Sequence, residues 1–458
     1  MKVIVCGAGQ VGWQIARHLS GERNDVTIVD SKPELVRRAT DALDVQGVVG
    51  YASYPKVLEE AGARDADMVI AATYSDEVNM VTCQVAHSVF GVTRKIARLR
   101  EQSYLDPLYS DLFRREHMPI DVIISPEREV SQAALKRIAY PAAFDVHEYF
   151  QGKALFIGLQ LDADCPVLNT SLRELSELFP SLRIMVAGVR RGKRLFAPEP
   201  EDQLYDGDQV YLLTDARDVP RTFEVFGKAP QQQARVLIVG GGNVGLSVAR
   251  TLENQPQRVR VKVIERDRAR AERAADALER SIVLHGDGMD ADLLEEAGIE
   301  KIGAVLLLTD DDRTNLLAAV RAKSMGARLA IALINDPGLV PLADITGIDA
   351  QINPRALTVS SILRHVRHGR VRSVYLIGDR EAEVIEAQVL ATSALCNARV
   401  RDIDFPEGAL LIGVSRQGEF LRPIGDMVLR ENDLVVIFSL TADVPKVDEL
   451  LQVAVEFF

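Results

Sequence analysis

The chain has few of the residues that mark special-purpose proteins. Its four cysteines, Cys6, Cys83, Cys165 and Cys396, are scattered through 458 residues. That spacing fits neither a disulfide framework nor a Cys-based metal motif. No apolar run approaches the ~18 residues of a membrane span. Runs such as Ala304-Val305-Leu306-Leu307-Leu308 are the size of a buried strand. Positive charge is in deficit, 54 Lys+Arg against 66 Asp+Glu for a net −12. A broad basic face for nucleic acid is therefore not expected. The first residues, Lys2-Val3-Ile4-Val5, open as a strand with no charged segment, apolar core or cleavage site ahead of it. A reduced, cytosolic protein is the expectation. With 47% hydrophobic and 26% charged residues, the composition is that of a folded globular chain.

What the chain does have is a repeat. Val3-Ile4-Val5-Cys6-Gly7-Ala8-Gly9-Gln10-Val11-Gly12 returns as Val236-Leu237-Ile238-Val239-Gly240-Gly241-Gly242-Asn243-Val244-Gly245, at an offset of 233. Glu59-Glu60-Ala61-Gly62 returns as Glu295-Glu296-Ala297-Gly298, and Thr73, Asp76 and Asn79 return as Thr309, Asp312 and Asn315, both at 236. Pro126 matches Pro354. Matches in the same order with small shifts mean two homologous halves.

Each half divides again. Strands near Lys2–Cys6, Val26–Val29, Val45–Val49, Met68–Ala72 and Lys95–Arg98 alternate with stretches of helical period such as Gly12–Ser20 and Tyr54–Ala61. That alternation predicts a doubly wound parallel sheet. From about Glu148 a smaller α+β module is expected, with strands Ala154–Leu161 and Arg183–Val189 around a helix Ser171–Leu178. It closes on the turn Tyr205-Asp206-Gly207-Asp208, which recurs at Arg430-Glu431-Asn432-Asp433. Gln231-Gln232-Gln233 reads as the linker between halves. The fold class is thus α/β, two Rossmann-like doubly wound domains each followed by a smaller α+β module. The expected domains are residues 1–140, 141–228, 233–368 and 369–458.

Each glycine fingerprint follows a strand and opens a helix, the setting in which Gly-x-Gly-x-x-Gly lets backbone N–H groups approach a pyrophosphate. Asp30 and Glu265 close the second strand of each copy, where a carboxylate accepts from ribose hydroxyls and repels a 2′-phosphate. NAD(H) is preferred on that ground, with Arg266 beside Glu265 weakening the inference in the second copy. A degenerate Rossmann fold that lost its ligand is the alternative. Ala52, Thr73 and Tyr74 in the first half, and Asp287 and Thr309 in the second, lie at strand ends that face the same pocket. Arg98 and Arg100 either meet phosphate or pair with a neighbouring carboxylate. Their counterparts are Leu333 and Asn335, so the two sites should not prefer identical ligands.

No catalytic constellation is evident. The seven histidines show no paired repeat, and a dehydrogenase needs a positioned proton donor beside the nicotinamide. His365 and His368 stand three apart among Arg364, Arg367, Arg370 and Arg372, which reads as a basic contact face and not a metal site. Asp310-Asp311-Asp312 reads as a helix cap in preference to a cation site. Cys6 reads as a core thiol. The helices near Pro126–Tyr140 and Pro354–Arg367 carry apolar faces, either for crossover to another subunit or for packing within their own domain.

These fingerprints, with Thr73-Tyr74-Ser75-Asp76-Glu77-Val78-Asn79 and Ile96-Ala97-Arg98-Leu99-Arg100, resemble the RCK/KTN family of potassium channel and transporter regulators. The resemblance covers essentially the whole chain in tandem form. It implies no catalysis, binding of NAD(H) and of ATP or ADP, assembly into a homotetrameric ring, and docking on a membrane-embedded Trk-type potassium transporter. The implied location is the cytoplasmic side of the inner membrane. Carried over, Gly7 to Val11, Asp30, Thr73, Tyr74 and Arg98 are nucleotide contacts, as are Gly240 to Val244, Glu265 and Thr309. Tyr51 departs from the family pattern, which often has an acidic or amide residue there, so adenine recognition is less secure at Tyr51 than at Asp287. An NAD-dependent oxidoreductase is the alternative reading.

Overall fold

The computed structural model describes residues 1–21, 24–228, 235–255, 259–336, 338–366, 371–378 and 381–451. The Gln231–Gln233 linker, Arg367, His368 and Arg370 lie outside them. By its contacts the chain forms two compact units, residues 1–135 with 234–363, and residues 136–233 with 364–458.

The first unit holds two six-stranded sheets. In the first half β1 (Lys2–Cys6), α1 (Gln10–Gly21), β2 (Asp25–Asp30), α2 (Pro33–Ala42), β3 (Gln46–Val49), α3 (Pro55–Glu60), β4 (Met68–Ala71), α4 (Asp76–Ser88), β5 (Arg94–Arg98), β6 (Val122–Ile124) and α5 (Pro126–Ala139) follow in turn. The strands pair all-parallel in the order β3-β2-β1-β4-β5-β6. β4 is buried throughout, as a parallel strand covered by helices on both faces must be. The second half repeats the order with Ile282–His285, Arg260–Glu265, Arg235–Val239, Ala304–Leu307, Leu329–Leu333 and Ala350–Ile352. In both sheets the order reverses beside the first strand, which opens a crevice at the carboxyl ends of the strands.

The cysteines of this unit are core thiols. Burial pushes Cys6 well up and Cys83 to about 12, so neither is a nucleophile at neutral pH. α5 and the helix Pro354–Val366 bury their apolar faces: Val130, Ala134, Ile362 and Val366 are almost fully covered. The two halves touch here. Ser131 Oγ donates to Val244 O at 3.4 Å and Ser361 Oγ to Glu129 Oε1 at 2.9 Å.

The second unit holds two five-stranded antiparallel sheets. The first pairs Ala143–Tyr149, Ala154–Gln160, Gln209–Asp215, Ile184–Arg191 and Arg194–Phe196, and the second repeats that order. Phe156, Leu213, Val384 and Phe438 lie in one core shared by both. The repeated turns are built alike. Buried Asp208 and Asp433 each take a bidentate arginine, Arg191 and Arg416, and a backbone N–H from Tyr205 and Arg430. Asn432, at φ +68°, occupies the left-handed seat that Gly207 holds in the first copy. The helix Leu172–Leu178 is capped by a reciprocal Ser171–Glu174 box. Ser171→Ala is expected to cost this unit about 1 kcal/mol, read as a lower urea midpoint at unchanged slope.

Candidate functional site

The glycine turn is fixed by contacts only glycine permits. Gly7 sits at φ +107° and Gly240 at φ +111°, and a Cβ on either would press on the backbone of Ala72 or Leu308. Gly12 and Gly245 lie so near the carbonyls of Gly7 and Gly240 that a side chain would occupy the oxygen's place. Gly9 and Gly242 have open space above them. That openness leaves the N–H groups at the start of each helix accessible to an anion.

The acidic residue ending the second strand locks each loop. Asp30 accepts from Ala8 N at 2.7 Å and from Lys32 N at 2.9 Å. Glu265 accepts from Gly241 N at 2.7 Å and Asp267 N at 2.8 Å, with Arg270 Nε 3.3 Å away. Neither carboxylate is consumed by these bonds, since each has about four lone-pair positions.

Opposite the loops, the ends of β4 and β5 are tied by a side chain to which the sequence assigned no role. Buried Asn79 accepts from Thr73 N and Thr73 Oγ and donates to Thr73 O and Arg98 O at 2.8 Å. Asn315 makes the same four bonds to Thr309 and Leu333. Asp76 holds the next turn through the N–H groups of Arg100 and Glu101, and Asp312 does so through Asn335 and Asp336. Of the three consecutive acids, Asp311 is the helix cap, accepting from Arg313 N and Thr314 N. The Thr–Asn spacing of six, repeated in both halves, was the available signal for the clamp.

The two arginines divide. Arg100 Nε lies 3.4 Å from Glu127 Oε1, and its guanidinium stands over exposed Tyr74 at 5.4 Å. Arg98 is half-buried and its Nε, cut off from solvent, has no hydrogen-bond partner; the same is true of Glu127 Oε2. Burial, and then the neighbouring Arg100, pull the Arg98 guanidinium below its usual value. An enclosed, unpaired guanidinium N–H is costly unless an acceptor arrives, and a phosphate oxygen is the natural one.

The two glycine loops open on one cleft of about 1000 Å³. It is lined by Gly7, Gly9, Gln10, Val11, Asp30, Ala52, Thr73, Tyr74 and Arg98 from the first half. The second half contributes Gly240, Gly242, Asn243, Val244, Glu265, Asp287 and Thr309. Ala8, Gly12, Gly241 and Gly245 stand behind the lining and shape the loops. The N-terminal turns of α5 and of Pro354–Val366 complete it with Glu127, Val130, Arg355 and Thr358, which sequence reasoning had not placed there. The residues present fit a phosphate-bearing dinucleotide or nucleotide: loop N–H groups open to the cleft, a ribose-side carboxylate, and an arginine whose buried Nε lacks an acceptor. Among the described residues no histidine lines the cleft, and no cluster of three His, Cys, Asp or Glu is placed to hold a metal.

Comparison with known proteins agrees with this architecture. The TrkA-N domain family matches residues 3–126 and 236–354, and the TrkA-C domain family matches 157–227 and 384–452. The Trk system potassium uptake protein TrkA of Azorhizobium caulinodans is 45% identical over 458 residues, covering 100% of both chains. The protein of that name from Halomonas elongata is 37% identical over 462 residues, again 100% of both. Among solved structures, a GsuK channel bound to NAD superposes with a TM-score of 0.61 at 16% identity, over 98% of this chain and 78% of that one. The GsuK RCK domain gives 0.60 at 16% identity, over 98% and 94%. At that identity the likeness speaks to the fold.

Proposed function

The chain belongs to the TrkA family of Trk-system potassium uptake proteins, and from that membership we propose that it senses nucleotides for a membrane-embedded potassium transporter. Its role in potassium uptake is regulatory. The observation that carries the nucleotide reading is the shared cleft, where two glycine loops face one another and Arg98 Nε lacks an acceptor. NAD(H) and ADP or ATP are the ligands whose chemistry fits. Asp30 and Glu265 would take ribose hydroxyls, and the loop N–H groups with Arg98 would take phosphates. Tyr74 and Thr73, Ala52, Asp287 and Thr309 would border the ligands at the strand ends.

A ligand held between the halves stabilises one arrangement of the two sheets over another. It shifts that balance only by its differential affinity for the two. Passing the shift to a transporter calls for a docked, oligomeric regulator, and a homotetramer attached to the cytoplasmic side of the membrane is the assembly we propose. Among the described residues no helix is long and apolar enough to cross a membrane. Catalysis is not part of the proposal, because a hydride-transferring site needs a positioned proton donor.

The test combines binding and partnership. NADH and ADP are expected to bind the purified chain saturably in calorimetry, with Asp30→Ala weakening NADH about tenfold, roughly 1.4 kcal/mol. Recovery of a potassium transporter from membranes on the immobilised chain is expected to change when either nucleotide is added. Recovery indifferent to nucleotide sinks the sensing role. Steady oxidation of NADH in molar excess with a carbonyl substrate favours an oxidoreductase.

A further inference from the structure

The two halves differ in charge at the place where an adenosine ribose would lie. In this fold the ribose sits on the acid that ends the second strand, and an arginine nearby accommodates a 2′-phosphate. Asp30 and Glu265 hold that place but are exposed to different degrees. Asp30 is half-exposed, whereas Glu265 is only 5% exposed. The longer glutamate packs against its own loop because position 241 is glycine. A Cβ there would stand 3.1 Å from Glu265 Cβ; the first half has Ala8 at that position, beside the shorter Asp30. Arg270 Nε, 3.3 Å from Glu265 Oε1, offsets the buried charge. Asp30 accepts from the same two kinds of backbone N–H and has no ion-pair partner among the described residues.

With Glu265 covered, arginines supply the charge beside it. Arg266 and Arg270 both line the cleft, where the first half has Ser31 and Leu35. Arg266 is exposed, and its guanidinium makes no hydrogen bond or ion pair among the described residues. Arg270 Nε is enclosed without a hydrogen-bond partner, as Arg98 Nε is in the first half. Asp267 does not neutralise the pair within the cleft. It caps the following helix, accepting from Arg270 N at 2.8 Å, and is not part of the cleft lining. The first half's cation here is Lys32, and the half-exposed Asp30 balances its single charge. One carboxylate against two arginines leaves the second site positive. A phosphate monoester brings close to two negative charges and three acceptor oxygens, and arginine's planar fork matches it bidentately. Glu265 keeps lone pairs for the 3′-hydroxyl, which a 2′-phosphorylated ribose still carries.

We infer that the second site takes a dinucleotide carrying a 2′-phosphate, NADP(H), while the first takes the unphosphorylated form. The inference rests on the nucleotide-binding reading above and names the ligand class of one half. It is tested by calorimetry of the full chain with NADP+ and NAD+, and with adenosine 2′,5′-bisphosphate and its 3′,5′ isomer as competitors. NADP+ is expected to fill one site per chain, and the 2′,5′ isomer to displace it at least about tenfold better than the 3′,5′ isomer. Arg266→Ser, which places the first half's residue at an exposed and unpaired position, leaves the fold intact. It is expected to weaken NADP+ at least about tenfold, the loss of one charged hydrogen-bonded contact. Lys32→Ala, in the first half, is expected to leave NADP+ affinity unchanged. NAD+ binding without NADP+ binding, NADP+ affinity indifferent to Arg266→Ser, or equal displacement by the two isomers overturns the inference and leaves nucleotide sensing intact. A loss on Lys32→Ala as large as that on Arg266→Ser puts the phosphate in the first half and overturns it too. Failure of NAD+, ADP and NADP+ alike to bind overturns the underlying reading, and the inference with it.

Discussion

Gly12→Ala is expected to eliminate ADP binding in the first half and to destabilise the first sheet by about 3 kcal/mol, at the upper end of what overpacking costs. The added methyl falls on the carbonyl oxygen of Gly7, a backbone atom that no rotamer change can move aside. α1 must then lift away from the β1 turn, and Gly7 N loses its 2.7 Å bond to Val29 O as the turn opens. The gain from replacing a helical glycine by alanine, about 1 kcal/mol, does not offset this. Gly9→Ala separates the two consequences. Nothing lies within 4 Å of a Cβ there, so the unfolding midpoint should hold. The methyl nevertheless stands on the open face of the loop where phosphate must approach, and ADP binding should fall. Urea unfolding and calorimetric titration of both variants make the comparison. A Gly12→Ala chain as stable as the parent would mean that helix and turn are not in the contact described.

How much of this was legible in the sequence depended on what kind of signal each feature leaves. β1 and β4 are buried on both faces and read as unbroken apolar runs, so they were located to within a residue. The topology followed from strand–helix alternation because parallel strands require crossovers. β6 is only three residues long, and no periodicity can be measured over that length. The capping of the helix after Asp311 was legible from residue type. The bonds from Asp312 to the backbone of Asn335 and Asp336 were not, because they join segments more than twenty residues apart. The facing of the two glycine loops was hidden for a related reason. Val130, Ala134, Ile362 and Val366 have the spacing of any amphipathic helix. Whether such a face covers its own sheet or meets the other half is decided by shape in three dimensions. Arg98 and Arg100 look alike in sequence, and only the fold distinguishes the one that meets Glu127 from the one whose enclosed Nε has no acceptor.

Asn79→Ala should be the most damaging single change that touches no ligand. The side chain is fully buried, and its amide answers both a donor and an acceptor need at the junction of β4 and β5. Alanine leaves the Thr73 N–H and the Arg98 carbonyl without partners, each costing about 1–3 kcal/mol, so a loss of about 3–5 kcal/mol is expected. Aspartate does not rescue it, because it keeps the acceptor but sets a second oxygen against the carbonyls of Thr73 and Arg98. The functional consequence follows from Arg98, whose backbone Asn79 anchors. With that anchor gone the guanidinium is no longer held in the cleft, and ADP should bind at least about tenfold more weakly, roughly 1.4 kcal/mol. Asn315→Ala supplies the control. It removes the same four bonds in the second half, where the anchored carbonyl belongs to Leu333. It should therefore destabilise by a similar amount and leave the arginine-dependent affinity of the first site unchanged. If both substitutions weaken ADP equally, the clamp acts through general loosening of the unit and not through the placement of Arg98.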